Sequence, residues 1–236
     1  MTMNKLKSVL LLLFLLVFLG SNYAEASKKK TKGARNTKKT SSSVSATPAL
    51  SGAGTLEDPY QIATYNDIQT LSAMCHESEG KYYKLMQDIS IPISYSSIGT
   101  FEKPFKGIFD GNGLTILFEN TVMLDSNAGL FGVNFGKIHN LVIAGTLTSK
   151  NSRFIGAVVG SNYGVISNCV NKSSITANTR VGGIAGFSQG TIKECTNEGN
   201  MSISLDDTEN MCGGIAGEVS LNAIILSCNN LGTISI

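Results

Sequence analysis

The second half of the chain repeats one short pattern of apolar residues and glycines. A four-residue phrase, Gly/Ala-x-x-Gly, ends in a glycine that recurs at intervals of 28, 26 and 31 residues, at Gly132, Gly160, Gly186 and Gly217. A second apolar phrase follows each glycine and begins at Ile138, Ile166, Ile192 and Ile225. The phrases are short, rich in Ile and Val, and separated by Gly and Asn, so they predict strands and bends rather than helices.

Self-similarity at this period indicates that each repeat is one unit that stacks on its neighbours. Three short strands per repeat predict an all-β fold, a right-handed parallel β-helix (β-solenoid) of about four coils over residues 127–236. Matching residues of successive coils then form structural ladders along the axis. The two ladders that we expect are Cys169, Cys195 and Cys228, and Asn171, Asn197 and Asn230.

Residues 51–126 lack the repeated phrase and alternate in the manner of strands, with one exception. Thr64 and Asp67 form a capping box, and Ile68, Leu71 and Cys75 follow at helical spacing. We therefore expect an N-terminal part that caps the solenoid and contains one short helix.

The sequence Gly-Gly-Ile-Ala-Gly followed by Ile-x-x-Cys-x-Asn resembles the GLUG motif of bacterial exported proteins. The segments Gly52–Ile62 and Phe105–Ile116 are similar to segments that accompany this motif. The resemblance implies a surface or secreted β-solenoid module with an adhesin-like role. The motif is also found as an accessory region of immunoglobulin-A-cleaving metallopeptidases, and the family implies no catalytic residues.

Residues 1–26 have the features of a signal peptide. Lys5 and Lys7 precede the apolar run Val9–Leu19, and Ala24-Glu25-Ala26 offers a small-x-small cleavage site. The alternative is a membrane anchor, but eleven apolar residues are fewer than the ~20 that a spanning helix needs. We expect an exported protein in the periplasm, at the cell surface or secreted.

Residues 27–50 carry seven Lys or Arg and no acidic residue, whereas the chain from Ser51 onward carries ten basic and sixteen acidic residues. A polar segment of this composition predicts a basic disordered tail. The tail is either a solvated spacer or an attachment to anionic wall polymer or membrane. No specific nucleic-acid partner is indicated.

The sequence favours a protein that is not an enzyme. A zincin needs His-Glu-x-x-His, but Gly80 stands where the second His would follow His76, and His139 lies far away. We expect both His to be exposed polar residues, and we expect no catalytic residue, no metal and no cofactor. The carboxylates of the repeats form no convincing pair. Three or more carboxylates in one groove would favour an enzyme.

Two aromatic residues are the candidate ligand contacts. Phe135 and Tyr163 occupy the same position in successive repeats, at the bend after the final glycine of the Gly/Ala-x-x-Gly phrase. They either pack on a sugar ring or cover the turn. The five cysteines, Cys75, Cys169, Cys195, Cys212 and Cys228, are an odd number, so at least one thiol is free in a monomer. A column of buried thiols is favoured over a bridge.

These observations favour an exported, non-catalytic surface or secreted binding module, adhesin-like, that recognises glycan or host protein. The alternative is a carbohydrate-active enzyme, a polysaccharide lyase or hydrolase, on a parallel β-helix. A second alternative is a structural spacer or a truncated fragment of a larger adhesin. It rests on Gly232–Ile236, which ends within a strand phrase without a polar cap. The same feature predicts self-association through the C-terminal solenoid edge.

Overall fold

The computed structural model describes residues 49–203 and 211–235. The predicted signal peptide (residues 1–26) and residues 27–48 of the predicted tail lie outside the described residues. The described chain is an all-β parallel solenoid with one short α-helix, which confirms the predicted fold class. It has about six turns rather than the four that we expected, because the N-terminal part also winds into coils.

The first sheet runs the length of the solenoid and contains seven parallel strands. They are β1 Tyr60–Ile62, β2 Tyr82–Leu85, β5 Ile108–Asp110, β9 Lys137–His139, β13 Val165–Ser167, β18 Thr191–Lys193 and β23 Ile224–Leu226. The first three come from the predicted capping part. They pair in the same parallel manner as the later strands, so residues 51–126 are the first turns of the stack.

The second sheet has ten strands and the widest variation in strand length. Its members are β3 Ile89–Ile91, β4 Ser94–Tyr95, β6 Thr115–Met123, β10 Val142–Ser149, β14 Val170–Asn171, β15 Ser174–Ala177, β19 Thr196–Asn197, β20 Met201–Ile203, β24 Asn229–Asn230 and β25 Ile234–Ser235. The long β10 pairs on one side with the long β6 and on the other with both β14 and β15, so one strand of an early turn continues as two strands in later turns.

Two four-stranded sheets close each later turn. The third sheet contains β7 Asn127–Ala128, β11 Phe154–Gly156, β16 Arg180–Gly182 and β21 Cys212–Gly213. The fourth contains β8 Phe131–Asn134, β12 Val159–Asn162, β17 Ala185–Ser188 and β22 Ala216–Val219. The repeated Gly/Ala-x-x-Gly phrase spans the junction between these two sheets.

The helix α1, Tyr65–Ala73, begins as the sequence predicts. Thr64 Oγ1 accepts a hydrogen bond from Asp67 N (3.2 Å), and Asp67 Oδ2 accepts one from Thr64 N (2.8 Å). Ile68 and Leu71 are buried, and a 3₁₀ turn, Cys75–Glu77, follows the helix. The helix packs beside β1 and β3, at the N-terminal end of the stack.

The coils stack in register, and matching side chains fill one continuous core. Ile138, Ile166 and Ile192 are directly paired and fully buried. Cys169 and Cys195 stand one residue before the paired strands β14 and β19, so they occupy the same level of successive coils. All five cysteines are free thiols. Burial raises the pKa of the Cys169 thiol, so Cys169 is a protonated, apolar core residue.

A ladder of amides, fully buried at Asn171 and Asn197, runs beside the thiol column. Asn171 Nδ2 donates to Asn197 Oδ1 (2.7 Å), and Asn197 Nδ2 donates to Asn230 Oδ1 (2.7 Å). Each amide also bonds the backbone two residues ahead, as Asn197 Nδ2 does to Gly199 O (3.0 Å). The ladder thus satisfies backbone polar groups after the Asn of each of these three coils.

The left-handed bends lie three residues before these amides. The ladder Asn residues are not among the residues with positive φ. Positive φ is found instead at the residues directly before Leu141 and the ladder cysteines, namely Asn140 (55°), Asn168 (51°), Glu194 (55°) and Ser227 (53°). The ladder amides bond the backbone that follows each Asn, as Asn197 does to Gly199 O, whereas the left-handed residues precede it.

Candidate functional site

Aromatic side chains cluster on one side of the solenoid, around the bend that carries Phe135 and Tyr163. These two rings are stacked, with centroids 4.8 Å apart and planes 11° apart, because their coils are in register. Tyr163 also contacts Phe101 (5.9 Å) and Phe187 (5.8 Å), and Phe187 contacts Phe154 (5.3 Å). Five rings therefore form one continuous apolar strip.

A cleft of about 590 Å³ opens along this strip. We call it the aromatic cleft; Phe101, Phe154, Tyr163 and Phe187 line it. Its other walls come from the loop that holds Phe101, from the segment before β8, and from Glu218 on β22. Phe135 is about half exposed and supports Tyr163 by stacking from outside the lining residues.

Charged groups surround the rings of the aromatic cleft. The Arg180 Nε atom lies 2.6 Å from Glu218 Oε2, and the guanidinium carbons of Arg153 and Arg180 lie 5.1 Å and 5.6 Å from the Phe154 centroid. Such contacts hold guanidinium planes against an aromatic face. Cationic hydrogen-bond donors therefore lie beside the apolar rings.

Two further carboxylates line the aromatic cleft. Asp125 Oδ2 accepts a hydrogen bond from Ser97 N (2.6 Å), which fixes its orientation. The pKa of Glu102 is lowered, first by its own backbone N–H and then by the Thr100 hydroxyl, which donates to it at 2.9 Å. Together with Glu218, three carboxylates therefore line this cleft. This is the feature that we expected to favour an enzyme.

The sequence identified two of the five clustered rings, Phe135 and Tyr163. It missed Phe101, Phe154 and Phe187. Phe187 follows Gly186 directly, at a position that is Val133 and Ser161 in the paired coils, so no aromatic column marks it. Phe101 lies outside the repeats, and only the fold brings it against Tyr163.

The ladder residues are not among those that line this cleft. Asn171 and Asn197 are fully buried, and Cys169 and Cys195 are as well. A second polar ladder, which we did not predict from the sequence, lies closer to the aromatic cleft. Asn134 Nδ2 donates to Asn162 Oδ1 (2.9 Å), and Asn162 Nδ2 donates to the Ser188 hydroxyl (3.2 Å). Its members stand two residues after each repeat glycine, so their regular spacing in the sequence could have predicted this ladder.

A second concavity, of about 760 Å³, lies over the outer side of the first sheet. We call it the first-sheet groove. Tyr82, Lys84, Asp110 and His139 are among its lining residues. Asp110 and His139 are paired across β5 and β9, and Asp110 Oδ1 lies 3.6 Å from His139 Nδ1. His139 was expected to be exposed, but its side chain is only 19% exposed, whereas that of His76 is 48% exposed.

We expect His139 to titrate below the ordinary value of 6.5 for its pKa. Burial lowers this pKa, Asp110 raises it, and Lys137 lowers it again. Because the folded state then binds the proton more weakly than the unfolded state does, His139 lowers the stability of the fold as pH falls below 6.5. An NMR titration of the imidazole checks this. A midpoint at or above 6.5 would mean that Asp110 outweighs burial.

Two kinds of feature, a membrane-spanning helix and a metal-binding cluster, are not found among the described residues. In residues 49–203 and 211–235 no helix has the length and apolar character for crossing a bilayer. Across the same ranges no three His, Cys, Asp or Glu side chains are grouped as a metal site requires.

No protein-family model matches the chain. Two curated proteins are similar to part of it. One is named "Putative Gly-rich membrane protein", from Evansella cellulosilytica, and is 33% identical over 129 residues, which are 50% of this chain and 15% of that protein. The other is named "Halomucin", from Haloquadratum walsbyi, and is 30% identical over 152 residues, which are 58% of this chain and 2% of that protein. The chain therefore spans only a small part of both relatives.

A solved structure shares the fold. It is the crystal structure of a protein titled "putative immunoglobulin A1 protease", from Bacteroides ovatus, with a TM-score of 0.56 and 21% sequence identity. The similarity covers 78% of this chain and 69% of that one. At this level of identity the likeness shows the β-solenoid fold alone.

Proposed function

We propose that this chain is an exported, non-catalytic binding module at the cell surface or in the medium, which recognises glycan through the aromatic cleft. The observation that carries the proposal is the cleft itself, where Tyr163 and Phe187 present rings beside charged groups that are already oriented. Ligand sites in general combine an apolar wall with a few fixed polar groups.

A sugar fits this combination of groups. The C–H faces of a pyranose ring are apolar and pack on aromatic rings, while its hydroxyls point outward from the ring edge. In the cleft, Tyr163 and Phe101 offer ring faces or edges, and Asp125 and Arg153 offer an acceptor and a donor. Three carboxylates and one arginine line the cleft, and Arg180 pairs with one of the carboxylates, so a strongly anionic sugar is disfavoured.

The location is inferred from the N-terminal sequence and from a relative. Residues 1–26 carry the signal-peptide pattern. The name of the first relative is that of a membrane protein, which supports a place at the cell surface. Residues 27–50 supply a basic segment that can bind anionic wall polymer or membrane.

A carbohydrate-active enzyme is the second candidate, since Glu102, Asp125 and Glu218 all line the aromatic cleft. A glycosidase needs one carboxylic acid with a raised pKa as general acid. Here the pKa of Glu102 is lowered, and Arg180 holds Glu218 as an ion pair. These two environments favour binding over hydrolysis. Release of reducing sugar from a bound glycan would favour the enzyme instead.

The test of glycan binding is an array of glycans and host-matrix proteins, followed by calorimetry on the best ligand. We expect Tyr163→Ala to raise its Kd by about tenfold or more, since an aromatic contact worth about 1.4 kcal/mol is lost. Phe135→Ala should have a smaller effect, because Phe135 stacks on Tyr163 without lining the cleft.

The matched control is Tyr82→Ala, which removes the same side chain from the first-sheet groove. It should leave the Kd unchanged. A loss with Tyr82→Ala and none with Tyr163→Ala would transfer the site to that groove. Deletion of residues 27–48 separates the tail from the solenoid. If only the tailed protein binds, the aromatic cleft is not the site.

A further inference from the structure

The first-sheet groove crosses four neighbouring strands, which lie in the order β1, β2, β5 and β9. Parallel strands are about 4.8 Å apart, so the groove extends about 14 Å along the solenoid axis. Two rows of outward side chains form its floor. Paired residues of the four strands make the first row, namely Gln61, Lys84, Asp110 and His139. Paired residues of the last three strands make the second row, namely Tyr82, Ile108 and Lys137.

One wall of the groove is a loop that backbone hydrogen bonds hold in place. The Thr55 N–H donates to Asp58 O (3.1 Å), which closes the loop on itself. The Tyr82 N–H donates to Gly54 O (3.1 Å), which ties the loop to β2. Glu57 and Asp58 are exposed on this loop and line the groove. The two carboxylates therefore belong to a fixed wall beside the start of β1.

The two ends of the groove carry opposite charges. Glu57 and Asp58 precede β1 at one end, whereas Lys137 stands on β9 at the other. Lys84 and Asp110 are partners on the two strands between, so the middle of the groove adds no net charge. Among the described residues, none of Glu57, Asp58 and Lys137 forms an ion pair. Both ends thus offer a charge that no group of the described chain neutralises.

The middle of the groove offers apolar and amphipathic side chains. Tyr82 and Ile108 are neighbours on the floor. Met86 and Leu56 also line the groove and are 46% and 67% exposed. Exposed apolar side chains in one concavity lose contact with water when a ligand covers them, which favours binding. The groove therefore suits a ligand that is apolar between two charged ends.

We infer that the first-sheet groove binds a short peptide with free termini, whose ammonium group contacts Glu57 and Asp58 and whose carboxylate contacts Lys137. An extended chain covers about 3.4 Å per residue, so about four residues match the length of the groove. Complementary charges at the two ends fix the direction in which the peptide lies. This site shares no lining residue with the aromatic cleft and does not depend on glycan binding.

The probe is a tetrapeptide of alanine, leucine, leucine and alanine with both termini free. It is titrated into the full chain labelled with nitrogen-15, and the amide signals are followed by NMR. We expect the signals of β2, β5 and β9 to shift, and those of the aromatic cleft to stay in place. Acetylation of the peptide N-terminus, or amidation of its C-terminus, should each raise the Kd about twofold to fivefold, because one ion pair at a partly exposed site is lost.

The decisive variants test each end of the groove against the matching end of the peptide. Lys137→Gln should bind the amidated and the free peptide equally, and Glu57→Gln/Asp58→Asn should bind the acetylated and the free peptide equally. Each comparison uses two peptides on one protein, so a change in stability does not imitate the result. The controls are Lys150→Gln and Glu119→Gln, at exposed residues outside the groove, which should keep both preferences.

Four outcomes would overturn the inference. They are no shift at the solubility limit of the peptide, shifts confined to the aromatic cleft, equal binding of capped and free peptides to the unchanged chain, and a preference for the free carboxylate that survives Lys137→Gln. Failure of glycan binding is separate from all four. Tyr82→Ala should weaken peptide binding and leave the glycan Kd unchanged, whereas Tyr163→Ala should have the opposite effects.

Discussion

Replacement of Asn197 by alanine should lower the free energy of unfolding by about 3 kcal/mol. Asn197 is fully buried and lies in the middle of the amide ladder. Its loss would leave one N–H of Asn171 Nδ2 and the carbonyl of Gly199 without the partners that they have now, at 2.7 Å and 3.0 Å. A buried polar group without a partner costs about 1–3 kcal/mol. Urea denaturation, with the slope compared between variants, measures the loss.

Asn230→Ala is the matched control for this prediction. Asn230 makes the same bonds, accepting from Asn197 and donating to Gly232 O (3.0 Å), but it is exposed on the last coil. Water can replace the lost partners there, so we expect a cost of about 1 kcal/mol or less. Equal losses at Asn197 and Asn230 would show that burial of the ladder does not set its contribution.

Gly190→Ala should be nearly as costly, at about 3 kcal/mol. A Cβ atom at this position would lie 2.1 Å from Gly164 O and 2.7 Å from Tyr163 C, both in the backbone of the preceding coil. Relief of the clash would require the two coils to separate, which would stretch bonds such as Thr191 N to Gly164 O (2.9 Å). Glycine recurs here because the coils approach closely at this bend, and a thermal melt measures the loss.

The control for Gly190 is Gly113→Ala, in the turn between β5 and β6. Gly113 has a φ of +73°, and an added Cβ would meet no atom within 4 Å. Only the backbone strain of a left-handed alanine applies, about 1 kcal/mol. If Gly113→Ala is as damaging as Gly190→Ala, backbone conformation rather than crowding explains the glycine column.

The repeated phrases predicted the solenoid because a stacked coil forces matching residues to lie above one another. The register of Ile166 with Ile192 follows from sequence spacing alone. The fold of the first coils could not be predicted in this way. Residues 51–126 vary in strand length and lack the Gly/Ala-x-x-Gly phrase. The pairing of β2 with β5 therefore depends on contacts between residues that are far apart in the sequence, and no local pattern indicates these contacts.

The aromatic cleft was predictable only in part, for the same reason. Phe135 and Tyr163 stand at matching repeat positions, and alignment of the repeats is enough to stack them. Phe101 reaches Tyr163 from a loop 62 positions earlier in the sequence. The pair of Asp110 and His139 is similar. The two residues stand on strands of successive coils, β5 and β9, and no local pattern relates them.

The backbone hydrogen bonds between coils affect how the coils of a solenoid separate. Gly190, for example, lies between two neighbouring coils: its N–H donates to Asn162 O (3.1 Å) in one, and its carbonyl accepts from Ile224 N (3.1 Å) in the other. Solenoid stability is approximately a sum of terms between neighbours, so damage at such a residue should weaken the coils on both sides of it. The aromatic cleft takes its lining residues from several successive coils, so any separation of those coils would widen it.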